Sequence, residues 1–172
     1  MTHRTLSSAW LAALLFALAP PAARAQADAP PRVGPCRLLR VPDSDAADLA
    51  CGRELVRVRL RNVAAPAPGQ VGHAEAARAL AELLRARELY LAADPASGPA
   101  PAPGGRRLAY VYDARGANLN VAFVLLGWAT YSADAGSSRL EASFRAAERE
   151  ARSERRALWT VWSVSADGSA ER

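Results

Sequence analysis

Between Leu55 and Arg61 apolar and basic residues alternate: Val56, Val58 and Leu60 fall on one side, Arg57, Arg59 and Arg61 on the other. A period of two is the spacing of a β-strand, so this segment predicts a half-buried strand with three arginines on its wet face. Upstream, residues 37–51 read as a hairpin bent at Asp43-Ser44, with Pro42 marking the turn and Gly52 marking a second one. Downstream, Glu88–Ala93 is a short strand, and the aromatic, β-branched run Leu108–Tyr112 is another.

Helical spacing appears in three places. Over Ala74–Arg87, Ala77, Leu80 and Leu84 share a face. Leu119–Leu126 is a short helix ended by Gly127. Leu140–Leu158 carries a stripe of Leu140, Phe144, Ala147, Ala151 and Leu158, with Glu141–Arg145 and Glu148–Arg152 as i,i+4 pairs on the wet side. The loop Ala64–Gly69 holds two prolines, and Asp94–Gly105 is a Pro/Ala/Gly loop long enough to suggest a mobile segment beside a site.

The N-terminus has its own pattern. His3 and Arg4 precede an apolar run, Ala9–Ala19, and Ala23-Arg24-Ala25 is an A-x-A cleavage signal, so residues 1–25 read as a signal peptide cut before Gln26. The apolar run is too short for a membrane span, and Pro20-Pro21 ends it. The expectation is therefore an exported protein, periplasmic or secreted, with no span left after cleavage. Residues 26–36 then read as a disordered lead rich in Ala and Pro, 37–160 as one domain, and 161–172 as a loose tail.

All 22 basic residues are arginine; without Arg4 and Arg24, 20 face 17 acidic residues. That balance is only mildly basic, and charge alone does not indicate nucleic acid. Cys36 and Cys51 lie symmetrically about the hairpin tip, which allows a disulfide in an oxidising compartment or two buried free thiols. His73 is the single histidine after the signal, which excludes a scattered Cys/His zinc site.

Four motifs stand in order: Asp43-Ser44-Asp45-Ala46, Arg59-Leu60-Arg61-Asn62-Val63-Ala64-Ala65-Pro66-Ala67, Arg106-Arg107-Leu108-Ala109-Tyr110-Val111-Tyr112, and Arg155-Arg156-Ala157-Leu158-Trp159. In this order and spacing they resemble the thermonuclease (staphylococcal-nuclease-like) family of calcium-dependent phosphodiesterases, over Arg37–Trp159. Short strands, a helix between the third and fourth, and more helix at the end suit a mainly β fold with α: a five-stranded OB-type barrel capped by about three helices. The resemblance implies the same fold.

It also implies a site. Asp45, fourteen residues before Arg59, matches the first calcium aspartate. Arg59 and Arg106 match the two phosphate-gripping arginines, with Arg107 as the alternative to Arg106; a planar guanidinium suits that role. Ala64 stands where the second calcium aspartate belongs, Ala65 where a backbone carbonyl serves, and Ala67 where the general-base glutamate belongs. Calcium prefers six to eight oxygens, and removing a general base typically costs ~10²–10⁴ in rate. Of the acids that could substitute, Asp43 and Asp48 stand near Asp45 and off the loop of the missing glutamate, which leaves Asp94 and Asp113 open.

Three readings follow. The first is an exported thermonuclease-like domain with degenerate calcium-dependent cleavage and an arginine-lined cleft for nucleic acid or another phosphate-bearing ligand. The second is an active DNA/RNA endonuclease with a shifted metal site. The third is a structural or protein-binding OB module.

Overall fold

The computed structural model describes residues 32–93, 101–102, 105–133, 135–136 and 138–160. The expected signal peptide with its cleavage point, residues 26–31 of the lead, most of the Asp94–Gly105 loop and the tail lie outside the described residues.

Eight strands and three helices are described. The strands are β1 (Val33–Asp43), β2 (Ala46–Cys51), β3 (Glu54–Leu60), β4 (Val63–Ala64), β5 (Leu89–Ala92), β6 (Pro101–Ala102), β7 (Arg106–Asp113) and β8 (Thr130–Tyr131). The helices are α1 (His73–Leu84), α2 (Leu119–Leu125) and α3 (Glu141–Ser153).

β1, β2 and β3 form an antiparallel meander, β1 also pairs with β5, and β5 with β7. A parallel pairing of β3 with β7, Val58 opposite Arg107 and Leu60 opposite Ala109, closes these five strands into a barrel. This is the expected OB-type architecture. Closure removes the free edges an open sheet would present. Inside it Leu49, Val58, Leu60, Leu89 and Val111 are almost wholly buried, joined from the helices by Leu80, Leu84, Phe123 and Phe144. Each such side chain contributes about 1.5–3 kcal/mol by leaving water.

Several expectations need correction. Residues 33–36 are not a disordered lead: they begin β1, where Val33 pairs with Leu91 and Cys36 with Leu89. Cys36, assigned to that lead, packs fully inside, while the Cys36–Cys51 disulfide that the spacing allows is present, between register partners across the hairpin. In α1 the innermost alanine is Ala76, not Ala77, which lies at the margin of the buried face. Within the Pro/Ala/Gly loop, Pro101–Ala102 pairs with β7 as a short strand.

The last helix stops at Ser153, five residues early. Arg155 and Ala157 take positive φ, and Leu158 reaches the core from a separate turn. Gly127 makes that packing possible: at φ +82° it ends α2, and a Cβ there would strike the Arg156 backbone.

Arg61 departs most from its expectation. The alternation placed it on the wet face, but β3 ends at Leu60, and Arg61 turns inward to complete burial, donating to the Ala135 carbonyl. No helix among the described residues is long and apolar enough to cross a membrane.

Candidate functional site

Barrel closure assembles the site. The β2–β3 register sets Ala46 opposite Arg59, and Leu60 N–H donates to the Asp45 carbonyl at 2.8 Å, so the β1–β2 turn lies against the start of the arginine pair. The parallel β3–β7 pairing sets Arg59 opposite Leu108, two residues from Arg106. Ser44 completes the frame, its buried hydroxyl donating to the Pro66 carbonyl at 2.7 Å and tying the turn to the 65–68 loop.

Asp43, Ser44, Asp45, Arg59, Ala65, Ala67, Pro68 and Arg106 thus line one pocket of about 230 Å³. Asp45, Arg59 and Arg106, singled out in the sequence, all lie there. Arg107 points to a different, mostly apolar pocket, because successive strand residues face opposite sides. Ala64 is not among the lining residues; it pairs with Thr130 in β4–β8.

Inside the pocket Arg59 Nε donates to Asp45 Oδ2 at 2.6 Å. Asp43 Oδ1 accepts from Ser44 N–H at 2.8 Å and contacts His73 Nε2 at 3.0 Å. Burial pushes the Asp43 carboxyl up, but the His73 hydrogen bond, the Ser44 amide and the charges of His73 and Arg106 outweigh it. Its pKa therefore lies below the ordinary 3.8.

No local pattern in the sequence signals this Asp43–His73 contact. The two residues stand thirty positions apart, and only packing of the α1 start against the β1 end brings them together.

The other candidate acids lie elsewhere. Asp48 is buried against Arg40 at 2.7 Å. Asp113 ends β7, caps its own turn at Arg115 and Ala117, and faces Arg87. Asp94 is outside the described residues.

A family model described as staphylococcal nuclease homologue matches residues 57–161. The chain belongs to the staphylococcal nuclease homologue family. No curated protein matches it. The match runs from the middle of β3 through the last turn and includes Arg59 and Arg106, while Asp43 and Asp45 precede it.

Nucleases of this family work with calcium, so the donor set here can be weighed against that ion. Two carboxylates line the pocket, one occupied by Arg59 and the other by His73 and Ser44. Ala67, which also lines the pocket, offers only a methyl. Among the described residues no three His, Cys, Asp or Glu side chains gather closely enough to hold a metal. A six- to eight-oxygen calcium shell does not fit these residues.

Proposed function

We propose that the chain is an exported staphylococcal-nuclease-like domain whose cleft binds the phosphates of a nucleic acid, with calcium-dependent cleavage largely lost. One observation carries this reading: Arg59 and Arg106 share a pocket with Asp45, yet alanines stand at the second aspartate and the glutamate, and Arg59 holds Asp45 itself. Two guanidinium groups on one small concavity suit a phosphate, which each can grip through parallel N–H groups. Without a fitted metal or a placed base, the attacking water lacks activation, and the two guanidinium groups alone offset charge on the phosphoryl oxygens. Export is supported by the residue 1–25 pattern and by the Cys36–Cys51 disulfide, a bond that persists in oxidising compartments.

The test is incubation of the protein with single-stranded DNA and RNA, with calcium or with chelator, alongside an oligonucleotide-binding measurement. Binding that falls with Arg59→Ala or Arg106→Ala, without calcium-dependent cutting, is the expected result. Robust cutting that needs calcium, Asp43 and Asp45 would instead favour an active nuclease with a shifted metal site. Binding indifferent to both arginines would favour a protein-binding module.

A further inference from the structure

A second basic concavity lies along β1. α1 packs along β1, with its first residue, His73, against Asp43 at the strand's end. Near the helix's other end, Ala81 and Arg85–Glu88 face Arg37–Val41 of the same strand across a groove of about 540 Å³. The twelve residues of α1 span ~18 Å. The strand path from Arg37 to Asp43 spans ~20 Å. β1 thus lends residues 37–41 to the groove and Asp43 to the pocket.

Four arginines, Arg37, Arg40, Arg85 and Arg87, line the groove with a single acid, Glu88. Arg37 is exposed and makes no ion pair among the described residues. Among the described residues Arg85 pairs only with Glu82, both about two-thirds exposed, and such surface pairs yield readily to a phosphate. Arg40 and Arg87 reach back to Asp48 and Asp113 while keeping much of their surface in solvent. Exposed Leu39 lies between the strand arginines.

We infer that the groove between β1 and α1 is a track for single-stranded nucleic acid, whose phosphates Arg37, Arg40, Arg85 and Arg87 hold while its end sits on Arg59 and Arg106. The inference rests on the reading of the pocket as a phosphate site. A single strand is favoured because the pocket that would receive its end is a concavity of only about 230 Å³. The ~20 Å from Arg37 to Asp43 suits the short end of the ~4–16 nucleotides that one OB fold covers.

Fluorescence anisotropy with labelled dithymidylate, octathymidylate and an eight-base-pair duplex tests this. The protein should bind the octamer about tenfold more tightly than the dinucleotide or the duplex. Arg37→Ala with Arg85→Ala should remove that advantage, leave dinucleotide binding unchanged, and reduce the log–log salt slope by about 1.4, at ~0.7 per lost phosphate contact. Octamer binding and slope unchanged in this variant would overturn the track, as would equal duplex binding. Arg59→Ala with Arg106→Ala should weaken both single-stranded lengths. If it weakens neither, the pocket reading fails, and the track from groove to pocket with it.

Discussion

Asp45 Oδ2 lies 2.6 Å from Arg59 Nε, so the nearly buried carboxylate and the guanidinium of the pocket pair with each other. Asp45 is nearly buried, while Arg59 keeps 43% of its side chain exposed. The pair therefore restrains Arg59 without hiding it. On the proposed reading, an incoming phosphate would compete with Asp45 for the same guanidinium.

That competition gives a prediction of definite sign. Asp45→Asn should strengthen dithymidylate binding, by up to about fivefold if the partly exposed pair is worth ~1 kcal/mol. Calorimetric titration reads it directly. A protein that used Asp45 to hold calcium at the phosphate would lose affinity instead.

Asp43 sets an acid limit. Its carboxyl titrates below 3.8 in the folded protein, because His73, Ser44 N–H and Arg106 outweigh burial. A depressed folded value contributes stability at pH above 3.8, and that contribution is lost as pH falls through the folded value. His73→Ala should raise the Asp43 pKa and move the acid unfolding limb to higher pH. Carboxyl-carbon NMR together with Tm against pH measures both; an unmoved Asp43 titration would contradict the assignment.

Asn120 holds the barrel seam. Completely buried, it accepts from Val111 N–H at 2.9 Å and donates to the Arg61 and Ala109 carbonyls at 3.1 Å each. Asn120→Ala leaves the Val111 amide buried without a partner and opens space beside the β3–β7 closure. The expected loss is about 3 kcal/mol in urea unfolding. A loss below ~0.5 kcal/mol, the range of ordinary surface changes, would contradict the seam role.

The barrel was legible because its strands carry local signals. Alternation over Val56, Val58 and Leu60 matches their burial, and the turn residues near Asp43 and Gly52 mark the meander. Arg61 was misread because alternation cannot show where a strand ends; one residue past Leu60, a turn reverses the side chain's direction. The helix end at Ser153 was missed for a similar reason, since the apolar spacing resumes at Leu158 after a break that contains no proline or glycine.

The site was legible only through its motifs. Spacing placed Asp45, Arg59 and Arg106 in one family pattern, and barrel closure brings them into one pocket. The choice between Arg106 and Arg107 needed the β7 facing, which sends the two arginines to different pockets. His73 offered no local clue, because its contact with Asp43 exists only after α1 docks.

Calcium titration calorimetry on the natural sequence, beside a variant carrying Ala64→Asp and Ala67→Glu, tests the central claim most directly. The natural protein should show no saturable heat up to ~1 mM calcium, the weak end of protein calcium sites. The double variant should gain saturable binding and measurable calcium-dependent cleavage of single-stranded DNA. Saturable binding by the natural sequence at or below ~10⁻⁴ M, abolished by Asp45→Ala, would contradict the account.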